Sequence, residues 1–335
     1  MTRILLVSLV CLGWFVGSPA AAAAEEVVVY SGRSDKFVRP VAEAFTRETG
    51  IAVVLHSAKS TELINRLRAE GDRTDADLYI SNDAGNLQVG SDFGLFEPLP
   101  ADIAGAVAPD YRAPDNSWVG LSARARVLVV NTRASDLGFV DSVLDLADPR
   151  LEGRIGITHS ANGSFITGVT VYREMAGEPA VLEWLQGMRR NAQGRVYNKH
   201  SRIVRDVAAG KKDVGLVNHY YIYRHLDRRP DAPIRILIPD QGAGGMGVAW
   251  NVAGVALVKH SDNKAQAIRL VEFLVSRRGQ KMFAEVNREY PTRPDVPAAA
   301  GVPPAGGFEV AEVPMHLLGS KRRETLDLIE QAGMP

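Results

Sequence analysis

Between Asp213 and Arg224 the chain runs Asp213-Val214-Gly215-Leu216-Val217-Asn218-His219-Tyr220-Tyr221-Ile222-Tyr223-Arg224, which places three of its nine tyrosines within four positions. The apolar run before Asn218 predicts a buried strand. On a continued strand Tyr220 and Tyr221 would face opposite sides of the sheet. At a strand-to-helix turn they lie about 100° apart and converge on one point. Two phenol oxygens at the carboxyl end of a strand suit a hard, highly charged cation such as Fe(III), which lowers the phenol pKa well below its ordinary value of about 10. The competing reading is aromatic packing in an interdomain cleft, the commoner use of a bare Tyr-Tyr pair.

Other chemistry is less well supplied. The seven histidines show no i, i+4 spacing with an acidic partner of the kind zinc sites use. His219, at a strand end, reads as a cap, and His200 as structural or anion-facing. Gln241-Gly242-Ala243-Gly244-Gly245-Met246-Gly247 is rich in glycine but lacks the Gly-Lys-Ser/Thr ending of a phosphate loop, so it reads as a mobile connection. No Gly-x-Ser-x-Gly elbow or Ser/His/Asp set is present, which argues against a secreted hydrolase.

The elements that would hold the tyrosines alternate between strand and helix. Val27–Tyr30 is a β-branched strand, followed by a helix with Phe37, Val38, Val41, Ala44 and Phe45 on one face and Gly50 as C-cap. Ile51–Leu55 and Asp77–Ile80 read as strands around a Thr61–Ala69 helix, with a turn at Ser81–Gly85. Further strands are expected at Arg126–Asn131, Arg154–Thr158, Asp213–Val217 and Val252–Val258. Helices are expected at Phe165–Met175, Val181–Arg189, Asn263–Ser276, Gly279–Asn287 and Ser320–Ala332. Such alternation predicts an α/β fold with a largely parallel sheet and ligand-facing loops at the strands' carboxyl ends.

The 335 residues suit two domains. With 39 basic against 39 acidic residues, nothing favours a nucleic-acid or anionic-membrane binder. Residues 1–24 read as a secretory signal: Arg3, an apolar run from Ile4 to Val16, a break at Gly17-Ser18-Pro19, and small residues up to a cleavage point at Ala24/Glu25. The single cysteine, Cys11, leaves with that segment, so the exported chain would fold without disulfides. No later stretch is long and apolar enough to span a bilayer.

Taken over nearly its whole mature length, the sequence resembles the bacterial periplasmic ferric-ion-binding proteins, the substrate-binding components of iron(III) ABC transporters. The resemblance is carried by Val29-Tyr30-Ser31-Gly32-Arg33, Ala76-Asp77-Leu78, Ser122-Ala123-Arg124-Ala125-Arg126-Val127, Gly153-Arg154-Ile155-Gly156, Leu216-Val217-Asn218-His219-Tyr220-Tyr221 and Glu289-Tyr290-Pro291. It implies a two-lobed type II periplasmic binding protein fold with a hinged interlobe cleft. The N-terminal lobe would comprise residues 25–125 plus 252–302, and the C-terminal lobe 126–251 plus 303–335.

It also implies a monomeric, non-enzymatic carrier in the periplasm that captures Fe(III) and delivers it to an inner-membrane ABC permease, with no nucleic-acid partner. Tyr220 and Tyr221 would be the phenolate ligands. Ser34 and Asn82 stand where relatives often have histidine and glutamate, and Ser164 near where some have a further tyrosine. Asp35, Asp83 and Tyr30 are therefore the candidates to complete the metal ligands. A synergistic anion such as carbonate or phosphate would fill the remaining sites, held by Arg124 and the amides of Asn162, Gly163 and Ser164. The alternative is the same scaffold binding a small anion or organic acid, with the tyrosines as cleft wall.

Overall fold

The computed structural model describes residues 25–335. The expectations for the signal segment and Cys11 lie outside the described residues.

The chain opens as expected. Strand β1 (Glu26–Ser31) feeds the helix Asp35–Thr49, which buries Phe37, Val38, Val41, Ala42, Ala44 and Phe45. Its C-cap is Gly50, whose φ of 74° few other residues adopt cheaply and whose amide returns to the Thr46 carbonyl. Strand β2 (Ala52–Ser57), the helix Ser60–Glu70 and β3 (Leu78–Ser81) follow. Gly32, just past β1, admits no side chain, since a Cβ there would lie 2.0 Å from Ser60 Oγ. The expected turn after β3 is cut short by a helix, Ala84–Asp92, whose N-terminus Asp83 caps.

The remaining strands are β4 (Phe96–Glu97), β5 (Val119–Asn131), β6 (Ile155–Gly156), β7 (Val214–Asn218), β8 (Ile234–Leu237) and β9 (Trp250–Val258). They form one path, β2-β1-β3-β9-β5-β7-β6, with β4 beside β9 and β8 beside β5. The sheet is mixed rather than largely parallel. β1 runs parallel to β2 and β3, and β6 to β7, but every pairing made by β5 or β9 is antiparallel. These two strands carry the chain back and forth between the halves, so each runs against the strands it joins.

The exchange is visible in the register of β5. Up to Ala125 it pairs with β9, and from Arg126 it pairs with β7. One 13-residue strand, buried along its full length, thus belongs to both halves of a two-lobed α/β molecule. The helices Lys264–Val275 and Arg277–Asn287 pack on the Asp35–Thr49 helix, while the last helix, Arg322–Gln331, packs on Gly163–Ala176. Among the described residues, no helix is long and apolar enough to cross a membrane.

Candidate metal centre

Strand β7 ends at Asn218, and a helix, His219–Leu226, begins at the next residue. This is the strand-to-helix turn on which adjacent tyrosines converge. The Tyr220 and Tyr221 rings lie 4.5 Å apart between centroids, and Phe37 from the opposite lobe meets Tyr220 edge-on at 6.1 Å. Both tyrosines line an interlobe pocket of about 190 Å³, together with Gly32, Arg33, Ser34, Phe37, Asn82, Arg124, Ser164 and Glu289. At about 30 Å³ per water, that space holds roughly six water-sized ligands, enough for an ion and its shell.

The tyrosine wall is built on a short polar chain. Asn218 Nδ2 donates to Tyr220 Oη at 3.1 Å and to Ser164 Oγ at 3.3 Å, while its Oδ1 accepts from Arg126 at 3.2 Å. The Tyr220 phenol beside it, and then burial, push the Tyr221 phenol above its ordinary value. Tyr221 is thus protonated at neutral pH. A cation that binds it must displace that proton.

His219 is committed elsewhere. Its Nδ1 accepts from the Ala125 amide at 3.2 Å, which leaves the hydrogen on Nε2 to donate to the Arg288 carbonyl at 2.7 Å. Burial pushes its pKa down to about 4. It is a neutral bracket between β5 and the 288–290 segment. His200 is buried behind Tyr221, with ring centroids 5.1 Å apart, and burial holds it well below the ordinary histidine range.

The facing wall is different in kind. Arg33 forms a buried, two-pronged bond to Glu289 at 2.7 and 2.8 Å and reaches Ser122 Oγ at 2.9 Å, while Ser122 donates to Glu289 at 2.7 Å. Burial, the largest single influence, would raise the Glu289 carboxyl, but the Arg33 charge and hydrogen bond, the Arg124 charge and the Ser122 hydrogen bond together outweigh it and hold the group below its usual range. Arg124 donates to the Asn82 backbone carbonyl and has no carboxylate within 4.0 Å among the described residues. The pocket therefore carries two guanidinium groups against one carboxylate, and that carboxylate is already bonded.

Of the expected site residues, Tyr220, Tyr221, Arg124 and Ser164 meet at this pocket. Three do not bring a free oxygen to it. Tyr30 points the other way, its hydroxyl against Glu70 at 3.0 Å, because β1 continues through Ser31 and turns that side chain under the Ser60–Glu70 helix. Asp35 pairs with Arg39 and accepts from Ser57 on an outer surface. Asp83 is 1% exposed, with Oδ1 on the Asn86 amide at 2.9 Å and Oδ2 on Asn86 Nδ2 at 2.6 Å. Each of these oxygens is held by a nearer partner.

The expected anion cradle is likewise altered. Asn162 caps the helix Gly163–Ala176 with its own side chain, taking the Ser164 and Phe165 amides at 3.0 and 3.3 Å. The Ser164 amide is thus occupied by the preferred capping residue. What remains for a ligand is the Ser164 hydroxyl, the positive end of that helix and Arg124. Arg33, Phe37, Asn218 and Glu289 were not among the expected site residues. Arg33 and Glu289 lie 256 positions apart, and only folding brings them together.

A profile described as bacterial extracellular solute-binding protein matches residues 41–309. The major ferric iron-binding protein of Neisseria meningitidis serogroup A is 34% identical over 320 residues, covering 94% of this chain and 95% of that one. Among solved structures, a Trichodesmium protein (IdiA, FutA) in complex with iron and citrate ligands superposes with a TM-score of 0.82 at 29% identity, covering 92% and 100% of the two chains. Iron-bound HitA from Pseudomonas aeruginosa gives 0.85 at 26% identity, covering 92% and 99%. The chain belongs to the bacterial extracellular solute-binding protein family.

Proposed function

We propose that this solute-binding protein captures Fe(III) in its interlobe cleft, with Tyr220 and Tyr221 as the phenolate ligands, and delivers it to an inner-membrane ABC permease from the periplasm. The observation that carries the reading is the convergence of two adjacent phenols on one pocket between the lobes. Relatives named for ferric iron binding, similar over nearly their full length, support the same cargo. Fe(III) favours anionic oxygen donors, and no group of three or more His, Cys, Asp or Glu side chains suited to another metal occurs among the described residues.

The lobes are taken as residues 25–125 plus 252–302, and 126–251 plus 303–335, hinged where β5 and β9 cross. Closure brings Phe37 and Arg33 of one lobe onto Tyr220 and Tyr221 of the other, so an ion that needs both walls favours the closed form. The tyrosines supply two negative charges once deprotonated. An anion that binds beside Arg124 and Ser164 supplies more, and it replaces the histidine and glutamate absent at Ser34 and Asn82. The protein acts as a carrier, and its chemistry is ligand exchange with proton release.

Ferric ion added to the full chain, delivered from a weak chelator, should produce a visible phenolate-to-iron absorbance band with a stoichiometry of one. A protein that binds iron without that band, or binds only organic anions, would return the tyrosines to the role of cleft wall.

A further inference from the structure

The helix that carries Tyr220 and Tyr221, His219–Leu226, is held at both ends by one residue from another segment. At its start, His219 Nε2 donates to the Arg288 carbonyl at 2.7 Å. At its end, the Arg288 guanidinium grips the C-cap residue Asp227 with two bonds, Nε to Oδ2 at 3.2 Å and Nη2 to Oδ1 at 3.0 Å. The remaining nitrogen, Nη1, donates to the Ala300 carbonyl at 2.6 Å and so fixes the fork. Arg288 follows the helix Arg277–Asn287, which packs on Asp35–Thr49 in the facing half of the molecule.

Both partners are poor choices for their own elements. Arg288 is a helix C-cap with φ 58° and ψ 28°, the left-handed conformation that glycine adopts most cheaply. Asp227 puts a carboxylate at the carboxyl end of a helix, where the dipole favours a cation. Neither residue helps the helix it ends, and each is accounted for by the other. The two side chains are 28% and 47% exposed, and ordinary ion pairs at such exposure contribute little. A two-pronged fork anchored by a further bond is the exception, because it is already held in the geometry that the carboxylate needs.

Arg288 also opens a run in which each residue ties a different part of the cleft. Glu289 bonds Arg33 and Ser122, and the Tyr290 amide donates to the Ala123 carbonyl of β5 at 2.9 Å. Three consecutive residues thus link the tyrosine helix to the facing wall and to the strand shared by both halves.

We propose that Arg288 is a positioning residue that clamps the tyrosine-bearing helix to the facing lobe through Asp227, and thereby slows the release of bound iron. The proposal rests on the ferric reading and on the lobes as taken above, and deepens them. His219 is bonded to Ala125 on the crossing strand, whereas Asp227 lies a helix length away, about 12 Å at 1.5 Å per residue. A bond that far from the pivot is stretched first when the lobes part. The fork therefore resists opening, and the His219 bond fixes the orientation of the helix.

The test uses the full chain and the variants R288G, D227N and R288G/D227N. Glycine keeps the positive φ and the carbonyl that His219 uses, and removes only the guanidinium arm. Iron-loaded protein is mixed with excess EDTA, and decay of the phenolate-to-iron band gives the release rate. R288G and D227N should each release iron at least threefold faster. The double variant should lie within twofold of the faster single one, since the two residues act through one pair of bonds. Uptake from ferric acetohydroxamate should stay within twofold, a separation that general loosening of the fold would not give. Release quickened less than threefold in either single variant, a double variant outside that twofold range, or uptake altered as much as release overturns the proposal. If the unaltered protein shows no band, the ferric reading fails, and hydrogen exchange of the iron-free protein decides the clamp. Amides of residues 223–227 exchanging at least threefold faster in both single variants uphold it, and a smaller change overturns it.

Discussion

The two walls of the cleft divide the work unequally. The wall formed by β7, the following helix and Ser164 presents phenol and hydroxyl oxygens, whereas the wall formed by the loops after β1 and β3, with Arg124 of β5, presents Ser34, the Asn82 edge and guanidinium groups. Relatives described by resemblance often place a histidine and a glutamate on that second wall. Here its one carboxylate, Glu289, is bound to Arg33 and Ser122. On the proposed ferric reading, the difference teaches that one lobe would supply the protein's ligands and an accompanying anion the remaining charge. The other lobe supplies closure and positive charge.

The largest effect should come from removing the oxygens of the first wall. Tyr220→Phe with Tyr221→Phe keeps the rings that pack against Phe37 and His200 and deletes both phenolates. The absorbance band should vanish completely while the far-ultraviolet circular dichroism stays unchanged. Preserved iron affinity in this variant would abolish the asymmetry altogether, because no other pocket residue is a free anionic donor.

Glu289 tests the opposite wall through stability rather than binding. Glu289→Gln leaves Arg33 as a buried cation with 4% side-chain exposure and no counter-charge. Removing one member of such a pair costs about 3–5 kcal/mol. Denaturant titration of the iron-free protein should show that loss. Because the folded carboxyl is held below its usual range, its contribution is present above the unfolded pKa of about 4.3 and disappears as pH falls through the lower folded value. A loss below about 1 kcal/mol would mean that water already screens the pair, and Glu289 would then become available as a ligand.

Much of this division was legible in the chain itself. The adjacent tyrosines followed an apolar run that could only be a buried strand, and the turn geometry needed for convergence follows from a helix starting at once. Apart from Arg124, which the resemblance singles out, the wall of charges was not legible. Arg33 and Glu289 come from segments far apart in sequence, and no periodicity links them. Asp83 was misleading for a related reason: a carboxylate three residues before a backbone amide is a helix cap first, and the Ala84–Asp92 helix that it caps was hidden behind turn-forming residues. The mixed sheet was hidden too, since an apolar strand looks the same in either direction.

The pH dependence sharpens the comparison next. Iron that binds through phenolates displaces a proton from each, and Tyr221 starts above its ordinary pKa. Apparent affinity should therefore fall as pH falls, by about tenfold per pH unit for each proton released. Competition titrations at two pH values would measure the slope. A flat profile would mean that the tyrosine wall contributes no proton-bearing ligand.

A smaller gain should follow from giving the second wall a carboxylate. Asn82 is exposed at the pocket lining, and its side chain bonds only the Ser60 hydroxyl at 3.0 Å. Asn82→Glu should raise iron affinity by roughly tenfold, in line with a charge-assisted bond to an oxygen-seeking cation, and should reduce the dependence on added anion. A gain in affinity with the anion dependence unchanged would show that the carboxylate and the anion occupy separate positions.

The smallest effect is expected at Asp35, the residue that proximity to Ser34 first suggests as a ligand. Its side chain is 41% exposed and already paired with Arg39 one helical turn on, and the Ser57 hydroxyl donates to it from β2. These partners, the Ser57 bond first and Arg39 after it, hold the carboxyl below its usual range, so it is ionised and satisfied before any metal arrives. To reach the pocket it would have to break both bonds and swing away from the first turn of its own helix, where its charge is favourable. An exposed i, i+4 pair contributes only about 0.3–0.5 kcal/mol. Asp35→Asn should accordingly leave iron affinity within about twofold and lower stability by no more than that pair is worth. A tenfold loss of affinity would place a first-lobe carboxylate on the metal after all, and the two walls would then be more alike than their resting geometry makes them.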